Sequence, residues 1–196
     1  MLFYLVCIFG GNGLIWLFNY LFNLSTFNGQ GWRIILFSAV YTIAIIIIDG
    51  IFSTLVRWAL PEKWFAYPNR TFCAKKWELR FYDKLGIKKW KDKIAELGSF
   101  TGFHKDKVID PKNNEYIERF ILEANYGIWC HVACCILGFL IFLIPPYSYL
   151  LTVALPVALV NFFLNLLPIM ALRYNLPRLF VLHKFNLKKA ELRKVA

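Results

Sequence analysis

Residues 124–172, ANYGIWCHVACCILGFLIFLIPPYSYLLTVALPVALVNFFLNLLPIMAL, contain no Asp, Glu, Lys or Arg. About 20 apolar residues cross the hydrocarbon core of a bilayer, so this run of 49 suffices for two helical spans. Pro145-Pro146 breaks it once and marks the turn between them. Directly after it comes Arg173-Tyr174-Asn175-Leu176-Pro177-Arg178-Leu179. That stretch places two guanidinium groups where the second span is expected to leave the membrane and meet headgroups, phosphates or a substrate.

The rest of the chain has the same character. Hydrophobic residues make up 59% and the mean hydropathy is +0.50, more than a soluble core of this length needs. The first 32 residues are uncharged, and the run from Ile34 to Val56 carries Asp49 as its only charge. The predicted fold is all-α: an integral membrane protein in one domain, with four spans at about 2–22, 34–56, 124–144 and 148–172. The N-terminal run lacks a basic leader and a small-residue cleavage pattern, so it is read as a span rather than a signal peptide. Gly10-Gly11-Asn12-Gly13 inside it suits close helix approach, not phosphate binding.

Of the 23 Lys and Arg residues, 15 lie in residues 57–123 and 7 in 173–196. Those two segments are expected to face the cytoplasm, with short external turns at about 23–33 and 145–148 and both termini inside a cell membrane. The net charge of +11 is therefore one-sided. Interleaving with Trp64, Phe65, Trp77 and Trp90 points to anionic lipid or phosphorylated ligands, and against nucleic acid. The five cysteines, 7, 73, 130, 134 and 135, have neither paired metal-ligand spacing nor a disulfide pattern. No metal and no bound cofactor is expected.

Segment 57–123 is too short and aromatic for a core of its own and reads as amphipathic helices lying on the membrane surface. Trp77, Phe81 and Leu85 repeat every four residues, as do Trp90 and Ile94, with lysines 76, 84, 88, 89, 91 and 93 around them. Gly86 and Gly98 are expected breaks. A further helix is predicted to start near Asp110-Pro111 and to run into the third span.

Ionisable groups within spans need a reason to be there. Asp49 lies eight residues before Arg57, His131 eight after Glu123, and Asn165 eight before Arg173. At 1.5 Å per residue each sits about 12 Å inside the same boundary, so the three are able to line one cavity. An imidazole oriented by a carboxylate takes a proton from a hydroxyl, and an amide holds substrate or an oxyanion, which together suit acyl transfer. The alternative is that they only fasten the bundle; Asn161 and Asn165, at i and i+4, fit a polar seam equally well. Lys89, Trp90 and Lys91 are placed to grip and stack a nucleotide-bearing donor, or simply to bind anionic lipid. Arg173 and Arg178 have the same two readings.

In chain order these motifs resemble a family. Leu60-Pro61-x-x-Trp64-Phe65, Trp77-Glu78 with Phe81-Tyr82, Lys89-Trp90-Lys91-Asp92-Lys93-Ile94, Glu123, His131, Asn165 and Arg173-Tyr174-Asn175-x-Pro177-Arg178-Leu179 are similar to glycosyl-4,4'-diaponeurosporenoate acyltransferases over about residues 52–182. The resemblance implies a membrane enzyme that esterifies a sugar hydroxyl of a glycosylated carotenoid or glycolipid with a fatty acyl group from acyl-CoA or another acyl carrier. Glu123 and His131 fall on the shared pattern; Asp49 does not. Chemistry then gives the expected roles: His131 the general base, Asp49 or Glu123 its electrostatic partner, Asn165 and Asn175 on the acceptor, Lys89, Lys91, Arg173 and Arg178 on the donor phosphates with Trp90 available for stacking, and Tyr174 a further substrate-binding residue. Two other classes stay open: a methyltransferase-like lipid-modifying enzyme, and a non-enzymatic membrane assembly factor.

Overall fold

A computed structural model describes residues 2–22, 31–94 and 108–195. Among the described residues the chain is helical without a strand: α1 (Leu2–Leu21), α2 (Gly31–Ala59), α3 (Lys76–Lys84), α4 (Ile87–Trp90), α5 (Asn114–Leu137) and α6 (Leu155–Val195). Of the external turn expected at about 23–33, residues 23–30 fall outside the described residues and Gly31–Arg33 already belong to α2; the break expected at Gly98 also falls outside the described residues.

Three stretches, Gly31–Ala59, Asn114–Leu143 and Tyr147–Leu192, are long and apolar enough to cross a membrane, and Leu5–Leu21 is a shorter apolar helix in the place of the expected first span. The chain is a membrane protein. Its large apolar side chains point outward along the spans, among them Ile43, Ile47, Ile51, Ile136, Leu140, Leu151 and Phe163, while Asn19, Ser38 and Asn165 are buried. Hydrocarbon outside and polar groups inside is the arrangement a lipid solvent selects.

The residues fall into two compact units: 1–55 with 130–166, and 56–129 with 167–196. Formal charge divides along the same line, since the first unit carries only Arg33 and Asp49. Its core is Ile15, Ile34, Tyr41, Ile45, Ile141, Tyr149, Val153 and Val157. At Pro145-Pro146 the chain turns as expected; 3₁₀ turns at Gly138–Leu143 and Tyr147–Tyr149 flank it, followed by a π-helical segment, Leu150–Ala154. Pro156 has no N–H for the Thr152 carbonyl, and Asn19 Nδ2 donates to that carbonyl at 3.0 Å.

The second unit is built around the aromatic and aliphatic side chains of Phe65, Ile87, Ile117, Phe120, Ile121, Tyr174, Leu176 and Phe180. Phe65 stacks on Tyr126 with ring centroids 4.0 Å apart. Two hydrogen bonds hold the Leu60–Phe65 motif to α5: Tyr126 Oη donates to the Leu60 carbonyl at 3.2 Å and Asn125 Nδ2 to the Phe65 carbonyl at 2.6 Å.

Two helix boundaries differ from the sequence reading. The helix expected to end at 172 continues to Val195 as part of α6, through Pro168 and Pro177, so the Arg173–Leu179 motif is helical rather than an exit into a tail. A charge does not end a helix, and the bond that Pro177 cannot donate to the Arg173 carbonyl is replaced by one from the Ala74 backbone N–H at 3.4 Å. At 41 residues, α6 is about 60 Å long, twice the hydrocarbon thickness, so part of it projects beyond the membrane. The second difference is at α5, which starts at Asn114 instead of near Asp110-Pro111. The Asp110 carboxylate accepts from the Lys112 backbone N–H in a turn, and Asn113 Oδ1 caps the helix by accepting from the Tyr116 N–H at 3.2 Å.

Candidate active site

Within the first unit, three helices each contribute one polar side chain to a continuous hydrogen-bonded chain. His131 Nδ1 on α5 lies 2.7 Å from Asn165 Oδ1 on α6, and Asn165 Nδ2 donates to Asp49 Oδ2 on α2 at 3.4 Å. Asn165 Nδ2 also donates to the Asn161 carbonyl at 3.1 Å and to Asn161 Oδ1 at 3.0 Å.

These partners assign the protons. A carboxylate and a backbone carbonyl only accept, so the Asn165 nitrogen must face Asp49 and Asn161, and its oxygen must face His131. That oxygen also only accepts, so Nδ1 carries the imidazole proton. In the neutral ring Nε2 is then the basic nitrogen. The sequence reading placed Asp49 beside the imidazole; the structure inserts the Asn165 amide between them. Asp49 Oδ1 is buried and makes no hydrogen bond among the described residues.

The supporting contacts explain why these residues take this register. Asn161 Nδ2 donates to the Cys134 carbonyl at 3.2 Å, close to where α5 tightens into 3₁₀ turns at Gly138. A Cβ on Gly138 would collide with that amide nitrogen, so glycine is what allows Asn161 to reach the α5 backbone. Cys135 Sγ approaches the Phe162 carbonyl at 3.6 Å. All five cysteines are free, and the described residues bring together no group of three or more potential metal ligands.

The other residues singled out from the sequence belong to the second unit. Glu123 is 1% exposed and lies between two guanidinium groups, paired with Arg57 and, at 2.8 Å, with Arg119. It belongs to that ion cluster of the second unit. Arg173 Nη2 meets both Glu78 oxygens, at 2.7 and 2.8 Å, and the Lys75 backbone N–H donates to Glu78 Oε2 at 2.7 Å. Burial raises the Glu78 carboxyl, but the Lys75 N–H and the Arg173 guanidinium outweigh it and leave the group below its ordinary value.

Tyr174 Oη donates to Asp83 Oδ1 at 2.8 Å, and Arg178 donates to Tyr174 Oη at 2.8 Å while its guanidinium stands 4.3 Å from the ring centroid. Asp83 also pairs with Lys88 at 3.2 Å. Hydrogen bonds from Tyr174 and Lys88 lower the Asp83 carboxyl, and Asp83 in turn raises Lys88. Arg173, Tyr174 and Arg178 thus hold α3 against α6. Lys91 pairs with Asp92, Trp90 Nε1 donates to the Leu85 carbonyl at 3.1 Å, and Lys89 is exposed. Asn175 is half-buried on α6.

With Glu78 paired to α6 and Tyr82 buried, α3 presents Trp77 and Phe81 outward, and its C-cap Leu85 with them, at 66%, 51% and 47% exposure. That apolar stripe on a basic helix is the form of a membrane-surface helix. Sequence reasoning missed the pairing of Glu78 with Arg173, although the Lys75-x-x-Glu78 spacing of a helix start was visible. It also missed His183, a buried imidazole whose Nε2 lies 2.7 Å from Glu118 Oε1, with the Tyr67 ring 4.2 Å away.

Membrane spans with outward hydrocarbon, a polar chain that includes an imidazole and a basic helix with an apolar outer stripe define an all-helical membrane protein. The profile of the glycosyl-4,4'-diaponeurosporenoate acyltransferase family matches residues 61–184, which is over half of the chain, and the chain belongs to that family. His131, Asn161 and Asn165 lie inside the matched region and Asp49 outside it. No curated protein and no solved structure matches the chain.

Proposed function

We propose that the protein transfers a fatty acyl group from an acyl-CoA or another acyl-carrier thioester to a sugar hydroxyl of a glycosylated carotenoid or related glycolipid. The observation that carries this reading is the His131 Nδ1 to Asn165 Oδ1 contact of 2.7 Å, because it leaves Nε2 as the basic nitrogen. As the sugar oxygen attacks the thioester carbonyl carbon, Nε2 takes the hydroxyl proton. The tetrahedral intermediate then collapses with loss of the thiolate, and the imidazolium returns the proton to the sulfur. An imidazolium donates to the Asn165 oxygen more strongly than neutral imidazole does, so the amide acts in the transition state. Asp49, reached through the Asn165 nitrogen, adds a negative charge behind it.

Because the donors and acceptors of Asn165 are used within this chain, its role is to orient His131. Asn175, Lys89 and Trp90 are the groups proposed to meet substrate. Glu123, Arg173, Tyr174 and Arg178 support the fold that presents them. The uneven basic distribution favours a cell membrane with both termini cytoplasmic, where acyl thioesters are available.

The test compares lipids extracted from cells carrying the chain, the His131→Ala variant or neither. One species heavier by a fatty acyl group should appear with the chain alone, at equal protein in the membrane. If no such species forms, or if His131→Ala makes as much of it, the proposal fails.

A further inference from the structure

We infer that a cleft between α1, α2 and α6 is the slot for the acyl chain of the donor, an assignment that rests on the proposed acyl transfer. The cleft is a groove open along one side, and the room inside it for the centre of a water-sized body is about 60 Å³. Its walls are successive turns of single helix faces: Ile8, Gly11, Asn12 and Ile15 on α1, then Thr42, Ile45 and Ile46 on α2, and Val157, Val160, Asn161 and Leu164 on α6. Each longer face spans seven residues, so the slot runs about 10 Å along the helices.

The lining excludes most ligands. It holds no charged side chain, so a phosphate or carboxylate entering it would be desolvated without compensation. Its polar hydrogens are largely engaged inside the fold: Asn12 Nδ2 donates to the Ile8 carbonyl at 2.9 Å and to Thr42 Oγ1 at 3.4 Å, and Thr42 Oγ1 donates to the Ser38 carbonyl at 2.7 Å. A sugar finds few donors there. Hydrocarbon fits, and among hydrocarbons the short length favours a flexible saturated chain over a rigid extended polyene.

Position supplies the second argument. Asn161 is both a wall of the slot and a neighbour of the relay, since its Oδ1 accepts from Asn165 Nδ2 at 3.0 Å. A chain lying against Asn161 therefore has one end within a single side chain of the groups that position His131. Gly11 controls how much of the slot is open. A Cβ at this position would rest 3.4 Å from Val160 Cγ2, so one methyl group is accommodated and anything larger must project into the cleft. Gly10, by contrast, has open space at its missing Cβ, which makes it the control position.

The experiment uses purified protein in detergent and palmitic acid carrying a diazirine near its methyl end, photolysed and mapped by mass spectrometry. Crosslinks are expected on α1 and α6 residues of the slot, reduced about fivefold or more by Gly11→Leu and unchanged by Gly10→Leu. Unlabelled palmitoyl-CoA should displace the probe and phosphatidylglycerol should not. Equal displacement by the phospholipid identifies a structural lipid site and overturns the assignment, as do crosslinks that ignore Gly11→Leu. In cells, Gly11→Leu should shift the acylated product toward shorter chains. A product with an unchanged chain-length profile also overturns the slot and leaves acyl transfer standing, whereas specific labelling of the slot with no acylated product in the parent protein overturns acyl transfer instead.

Discussion

Replacing Asn165 with leucine, which fills much the same space without an acceptor, separates orientation of His131 from its mere presence. During transfer the bond from Nδ1 to the Asn165 oxygen, 2.7 Å long, becomes a bond from a cation, worth about 1.5–3 kcal/mol. A bond between neutral groups is worth about 0.5–1.5 kcal/mol, so the strengthening is about 1–1.5 kcal/mol and predicts, at 1.36 kcal/mol per decade, a fall in kcat of roughly 5- to 13-fold. KM should barely move, because the bond strengthens only as the proton is transferred. The assay is acylation of the glycosylated acceptor by a labelled acyl thioester in isolated membranes, normalised to protein present. Unchanged kcat in Asn165→Leu, or a loss that falls on KM and not on kcat, would refute the relay.

Further expectations come from neighbouring contacts. An ionised Asp49 stands no more than about 8 Å from the imidazole through the amide, so at an effective dielectric of ~20 its charge is worth about 2 kcal/mol, and Asp49→Asn should cost roughly 30-fold in kcat in the same assay. Gly138→Ala forces a methyl group onto the Asn161 amide; a stability loss of about 1–3 kcal/mol should accompany reduced activity in a thermal-shift measurement. For Glu78 and Arg173, half-buried partners at 2.7 and 2.8 Å, a double-mutant cycle should give a coupling of about 2 kcal/mol, below the value for fully buried pairs. The Glu78 carboxyl titrates lower when folded than its ordinary 4.5. Its stabilisation is therefore complete above pH 4.5 and is lost as pH falls through the folded value, so thermal unfolding midpoints of Glu78→Gln and the parent, measured across pH, should converge at low pH.

The helical membrane class was legible because charge is so unevenly distributed: 124–172 is uncharged over more than the length of one span. Depth along a span was also legible, since rise per residue is constant, and equal eight-residue offsets brought Asp49, Asn165 and His131 to one level. Their order of linkage was not. It depends on how α2, α5 and α6 are rotated about their axes, which distant packing decides. The partners of Arg173 were hidden for a related reason: Glu78 is 95 positions away, and a short charge-rich segment offers many equivalent acids. Helix ends were misjudged where polarity stood in for geometry, at Arg173 because charges are welcome in a helix outside the bilayer, and at Asp110 because a turn precedes the true cap on Asn113.

The carbonyl of Arg173, released by Pro177 and taken up by Ala74, makes an interruption in one helix the docking point for another segment. A more regular α6 would then be a less well assembled protein. Pro177→Ala supplies a new N–H that competes with Ala74 for a single acceptor, so a change that raises intrinsic helix propensity should loosen the attachment of the segment leading into α3. Local order and global order are opposed at this residue, and selection for a smoother helix would work against the surface helix that the motif carries.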